Sequence, residues 1–198
     1  MTPTQIHVEP ADHATDLCAI CDKHGSDKSK RHDYTRYYAA IFRPIREKVA
    51  RVFELGIFGG SSLRMWRDYF PNAAIVGADI DPGMVSAARG ERIETYLCDE
   101  TNEAQVSALP GNFDIMIDDA LHTFADNVRF FEWSKRKLKP GGIYVMEDLP
   151  EHELGYFKAF MPKMWLDGWA CHLVDRHDRV VNGEAIPDNS LLVLRSPA

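Results

Sequence analysis

Two pairs of adjacent acids carry the most chemistry in this sequence: Asp118-Asp119 closes one apolar run, and Glu147-Asp148 closes another. If those runs are neighbouring strands, four carboxyl groups gather at one rim of a sheet and call for a counter-charge. Side chains alternate faces along a strand, so Asp119 and Asp148 are expected to share a crevice while Asp118 takes a structural or cofactor role. Oxygen donors at this density suit magnesium, which keeps some of its waters and can hold a pair of acceptor hydroxyls. Solvated carboxylates at strand ends are the plain alternative. His122 follows Asp119 by three residues, at the expected start of a helix. Imidazole titrates near neutrality, so His122 is the best-placed general base for a hydroxyl made more acidic by a metal. A surface histidine near a helix cap is the alternative there.

A second set of residues points to a bound cofactor. In an open α/β sheet, ligands sit beyond the carboxyl ends of the strands. The run Arg51 to Gly56 reads as a first strand and leads into Glu54-Leu-Gly56-Ile-Phe-Gly-Gly60-Ser61-Ser62. Its glycines allow a sharp turn and close backbone approach, and the helix that follows offers N–H groups to a carboxylate. A second strand ends in Gly77-Ala-Asp79-Ile80-Asp81, placing the Asp79 carboxylate where it can accept from ribose hydroxyls. A third ends in Cys98-Asp99-Glu100, where an acid can accept from an adenine amino group. The candidate cofactor positions are therefore Glu54, Gly56, Gly60, Ser61, Ser62, Asp79, Ile80, Asp99, Glu100 and Asp118.

The elements that must position these residues follow an alternating pattern after residue 50. A helix is expected over Ser61 to Tyr69, with the serines at its N-cap. Next come a strand at Ala73 to Asp79, a helix opened by Pro82, and a strand at Arg92 to Asp99. Phe113 to Asp119 reads as a buried strand, and His122 to Leu138 as a long amphipathic helix. Lys139-Pro-Gly-Gly142 reads as a stop before a strand at Ile143 to Glu147. Trp169 to Arg176 and Ser190 to Arg195, with no helical period between them, read as an antiparallel pair. The fold class expected is α/β: a Rossmann-like sheet, mainly parallel, with an antiparallel C-terminal strand pair and helices on both faces. Residues 1–198 read as one domain, with a helical cap over 1–50 and the Rossmann-like core over 51–198. The cap's apolar face is expected from Tyr38, Ile41, Ile45 and Val49, lying over the ligand crevice.

Composition narrows the function classes. A chain of 198 residues, 45% hydrophobic, can bury a stable core without covalent staples. Its net charge is −7 and no basic stripe interrupts it, which argues against a nucleic-acid partner. Met1 to Pro10 lacks the pattern of a signal peptide, and no apolar run approaches the roughly 18–20 residues of a membrane span. A cytoplasmic, membrane-free protein is expected, with reduced thiols at Cys18, Cys21, Cys98 and Cys171. Cys18 and Cys21 form a lone CxxC with His24 and His32 downstream; two thiols against the core are the favoured reading over structural zinc.

Taken together, ELGxxxGGS, GADID, CDE and FDIMIDD resemble the motifs of class I S-adenosylmethionine methyltransferases across Arg51 to Pro197. More narrowly, GSDKSKRHDYTRYY, GGSSLRMWRDYFP, IDDALH and GGIYVMEDL resemble the metal-dependent sugar O-methyltransferases of macrolide and polyketide biosynthesis. That resemblance implies S-adenosyl-L-methionine and Mg2+ as cofactors, with Asp119 and Asp148 as metal ligands and Asp119 and His122 as catalytic residues. It also places Ser26 to Tyr38 over the methionine end of the cofactor, with Tyr34 the preferred contact ahead of His32. The implied acceptor is a hydroxyl of a glycosylated natural product or saccharide. Two departures stand out. Leu149 occupies the position of an asparagine ligand in catechol O-methyltransferase, leaving Glu54 or Glu147 to complete the ligand set, and Ala120-Leu121 replaces Gly-Ser. The resemblance is expected to omit the extra N-terminal domain of larger members. A homo-oligomer is left open. Two competing readings remain at this stage: a nicotinamide-dependent oxidoreductase on a similar sheet, whose usual GxGxxG contrasts with GxxGG here, and a non-catalytic cofactor-binding partner.

Overall fold

The computed structural model describes residues 6–198, so the first five residues of the expected cap lie outside the described part. Residues 8–97 form one compact unit, and residues 98–198, with the N-terminal residues up to His7, form another.

The first unit opens with α1 (Asp16–His24), capped by Thr15 at one end and by Gly25, with φ 72°, at the other. Then come α2 (Tyr34–Phe42), β1 (Arg51–Leu55), α3 (Ser61–Tyr69), β2 (Ala74–Asp79), α4 (Pro82–Ala88) and β3 (Ile93–Leu97). The strands lie in the order β3-β2-β1, all parallel. The helical cap segment comprises these two helices and a short 3-10 turn at Arg46–Lys48; α2 ends just before Pro44, which has no N–H to continue its ladder. Tyr38 and Ile41 are buried as expected. The Tyr38 ring meets Trp66 of α3 edge-on at 5.3 Å, and Phe42 meets Phe70 just past α3 at 5.6 Å. These aromatic contacts tie α2 to the α3 segment through well-packed apolar area.

The second unit contains α5 (Glu103–Ala108), β4 (Phe113–Asp118), α6 (Phe124–Ser134), β5 (Leu138–Met146), α7 (Leu154–Leu166) and β6 (Ala170–Val174). A small ribbon of β7 (Val180–Val181) and β8 (Glu184–Ala185) precedes β9 (Leu191–Arg195). Its large-sheet order is β4-β5-β9-β6, with β4 and β5 parallel and β9 antiparallel to both neighbours. The whole is a seven-stranded, mostly parallel sheet with an antiparallel strand pair and surrounding helices. Two boundaries differ from expectation. The helix after β4 begins at Phe124 rather than His122, since Thr123 is its N-cap and accepts from the Asp126 amide. β5 begins at Leu138 and runs through Lys139 to Gly142, with Gly141 at φ 73° and a register shift opposite Phe113 to Ile115.

Candidate functional site

In the first unit the loop after β1 turns through three left-handed glycines, Gly56, Gly59 and Gly60, at φ 80°, 71° and 79°. Gly60 is required twice over, because a Cβ there would also fall 2.6 Å from the Ala88 Cβ. Asp79 holds this loop in place. One of its carboxylate oxygens accepts from the Ile57 amide at 2.9 Å and the Phe58 amide at 3.4 Å, and the other accepts from the Asp81 amide at 2.9 Å. A carboxylate has about four acceptor sites, so Asp79 can still receive ligand hydroxyls. Ile80 beside it is 66% exposed and offers an apolar face. Ser61 and Ser62 do not cap α3 as expected: its N-cap is Gly60, with no side-chain cap, and Ser61 Oγ instead accepts from Arg64. The first N–H groups of α3 therefore receive no side-chain cap.

Glu54, at the end of β1, is wholly buried. It accepts a hydrogen bond from Trp66 Nε1 at 2.6 Å and pairs with buried Lys28 Nζ at 3.4 Å. Nothing in the sequence spacing connects Lys28 with Glu54. Tyr34 and His32 are also buried and stack at 5.0 Å between centroids. Cys18 Sγ lies 3.1 Å from Thr35 Oγ1, and Cys21 Sγ donates to the Ser26 carbonyl, as thiols packed against a core do.

In the second unit, Asp99 and Glu100 lie just past β3 rather than within it. Asp99 accepts from the Thr101 amide at 2.8 Å and its hydroxyl at 2.7 Å, which hold its carboxyl below the usual range. Glu100 is buried, and burial, reinforced by the charges of Asp118 and Asp126, pushes its pKa up to about 8. Asp118 is fully buried and pushed up to about 7 by burial, against the Asn127 side chain that donates to it at 3.0 Å. Its Oδ1 and the Asn127 Oδ1 are buried without a hydrogen-bond partner.

Asp119, His122 and Asp148 come together. Each offers a ligand atom, and these atoms lie within 4.8 Å of one another. His122 Nε2 is 3.8 Å from Asp119 Oδ1, and His122 Nδ1 is 3.7 Å from Asp148 Oδ2. Both His122 and Asp148 have left-handed backbones, at φ 56° and 52°. For residues with a Cβ that conformation costs roughly 1–2 kcal/mol each, so the surrounding structure must impose it. Two carboxylates and an imidazole at this spacing form a donor set that fits a divalent cation. Among the described residues this is the one such group of three, and neither Glu54 nor Glu147 belongs to it.

Residues 53–146 match the model of a methyltransferase domain. The chain is 37% identical to an 8-demethyl-8-alpha-L-rhamnosyl tetracenomycin-C 2'-O-methyltransferase of Streptomyces olivaceus over 73% of its own length and 39% of that protein's. It is 36% identical to the mycinamicin VI 2''-O-methyltransferase of Micromonospora griseorubida over 60% of its length and 32% of that protein's. The solved MycE methyltransferase, in complex with Mg and SAH, covers 93% of this chain with a TM-score of 0.75 and 25% identity, over 56% of MycE. The fold is that of a class I methyltransferase.

The class I methyltransferase fold accounts for the parallel strands and the antiparallel pair formed by β9 with β6. The chain resembles the sugar O-methyltransferases, yet spans less than half the length of each of these two curated relatives. No helix among the described residues is long and apolar enough to cross a membrane. Three residues of the second unit went unnoticed in sequence. Thr123 and Asp126 form a cap pattern that would have placed the start of α6 at Phe124. Asn127 then follows one turn into that helix, where it reaches Asp118.

Proposed function

We propose that this methyltransferase-fold chain transfers a methyl group from S-adenosyl-L-methionine to a hydroxyl of a sugar on a natural product or saccharide, with a divalent cation, Mg2+, at its site. The observation that carries this reading is the convergence of Asp119, His122 and Asp148. The sulfonium of the cofactor supplies an electrophilic methyl group. Asp119 and Asp148 would hold the cation, which would supply positive charge beside the acceptor and make its hydroxyl more acidic. His122 accepts the hydroxyl proton as the oxygen attacks, and the imidazolium that results lies between two carboxylates, each within 3.8 Å.

The cofactor residues divide the remaining work. The glycines Gly56 and Gly60 and the α3 amides at Ser61 and Ser62 receive the methionine carboxylate, Asp79 the ribose hydroxyls, and Ile80 the adenine face. Asp99 or Glu100 accepts from the adenine amino group. Buried Glu54, Tyr34 and Asp118 shape the site through the elements that present it. The four cysteines are free and buried, in keeping with a cytoplasmic enzyme of natural-product biosynthesis. Such an enzyme needs no nucleic-acid or membrane partner, and it accommodates a homo-oligomer.

The test is transfer of a labelled methyl group from S-adenosylmethionine to a rhamnosylated or deoxysugar-bearing polyketide. Transfer should stop in chelator and return with added Mg2+. Full transfer in excess chelator removes the metal role, and tight binding of NADH with none of S-adenosylhomocysteine replaces the reading with an oxidoreductase.

A further inference from the structure

The loop from Asp119 to Thr123 carries His122, and the loop after β5 carries Asp148; each holds its key residue in a left-handed backbone. Something must keep the two loops at a fixed spacing. The segment after Asp148 is anchored first. The Leu149 amide donates to the Ser190 carbonyl at 3.1 Å, the Glu151 amide to the Pro187 carbonyl at 2.9 Å, and the Glu153 amide to the Pro150 carbonyl at 3.0 Å. Glu153 is the N-cap residue of α7, yet its side chain makes no cap bond to that helix. Its Oε2 instead accepts from the Phe124 amide, the first N–H of α6, at 2.5 Å. That donor has no partner within its own helix, and the Thr123 side chain is committed to Asp126. The Phe124 ring is held by the same element: it meets Phe157 of α7 edge-on at 5.0 Å and tilts against Tyr156 at 5.7 Å.

We propose that Glu153 is a positioning residue: by holding the Phe124 amide two residues past His122, it fixes His122 against Asp119 and Asp148. This rests on the metal and base assignment above. The carboxylate acts through backbone alone, five residues beyond Asp148, and touches no reacting atom.

Two readouts on the full chain test it. The first is hydrogen exchange of residues 122–127 in the metal-free protein, and the second is Mn2+ affinity by electron paramagnetic resonance. Glu153→Ala should speed exchange in that segment while β4 and β5 amides stay protected, and should weaken Mn2+ about tenfold, at the lower end of what supporting partners of metal ligands contribute. Glu153→Gln, whose amide oxygen can accept the same N–H, should restore both. Parental exchange and Mn2+ affinity in Glu153→Ala overturn the proposal, as does loss of protection spread evenly over the second unit. A parent protein that binds no Mn2+ overturns the metal assignment instead, and the exchange pattern of Glu153→Ala then decides for or against the latch.

Discussion

In residues 8–97 the acids at the strand ends are spoken for by their own surroundings. Asp79 receives three backbone amides, and Glu54 receives an indole N–H and faces a buried lysine. In residues 98–198 the corresponding acids crowd one another instead. Asp119 and Asp148 face one imidazole at 3.8 and 3.7 Å, beyond hydrogen-bond reach. Asp118 and Glu100 are buried with pKa values pushed up to about 7 and about 8. The first region has a shape fixed before any ligand arrives, through backbone donors that a neutral peptide supplies. The second gathers Asp119, His122 and Asp148 with ligand atoms within 4.8 Å of one another, which is the arrangement a cation and a proton-accepting histidine would use.

This contrast predicts effects of different kinds. The largest belongs to the second region: His122→Ala should lower turnover about 10²–10⁴-fold, the usual contribution of a general base, and leave S-adenosylhomocysteine affinity close to parental. A variant with parental turnover across pH 6 to 9 removes the base assignment. A smaller effect belongs to the first region. Asp79→Ala should weaken S-adenosylhomocysteine by about 1.5–3 kcal/mol in calorimetry, the worth of hydrogen bonds to a charged acceptor. Loosening of the Ile57 and Phe58 amides adds to that loss, and unchanged affinity excludes Asp79 from the site.

The smallest effect is on stability and depends on pH. Glu100 has a folded pKa near 8, raised from 4.5 chiefly by burial. Between those values the folded protein holds a proton that the unfolded chain releases. The stabilisation from this group is therefore complete below about pH 4.5 and is lost as pH rises through about 8. Glu100→Gln should match the parent near pH 4 and exceed it by about 1–3 kcal/mol at pH 9, discounted from the full shift for solvent relaxation. Denaturant melts at the two pH values check this; a Gln variant that gains nothing at pH 9 shows that the Glu100 carboxyl ionises without penalty.

Much of this was legible in the residues because local rules decide it. Pro82 starts α4 after an Asp81 cap, the glycine run makes the turn after β1, and the apolar runs at Ala170–Val174 and Leu191–Arg195 pair antiparallel. Where tertiary packing decides, sequence was a poorer guide. α7 is apolar around most of its circumference and contains Pro162, so neither periodicity nor breaker residues announce a helix there. The Lys139-Pro-Gly-Gly142 run looks like a stop, yet it lies within β5 as an irregularity between the pairs Phe113–Leu138 and Ile115–Ile143, with the Gly141 amide donating to the Pro197 carbonyl and the Gly142 carbonyl accepting from the Ser196 amide. Asn182-Gly183 closes the small β7–β8 hairpin with both residues at positive φ. The acids and the histidine of the candidate site were named by type and spacing. What could not be read was that His122 stands outside its helix in a left-handed turn, because the helix starts only at Phe124, after the Thr123 cap, and the Phe124 amide is held by Glu153, 29 residues further along.

The central claim is that Asp119, His122 and Asp148 act on one proton, and a double-mutant cycle in methyl-transfer rate tests it most directly. If Asp119 helps to place and acidify the hydroxyl that His122 deprotonates, removing the histidine from an Asp119→Ala background should cost far less than the 10²–10⁴-fold expected in the parent. Losses that multiply, so that His122→Ala costs the same factor with and without Asp119, would show two independent groups and contradict the account.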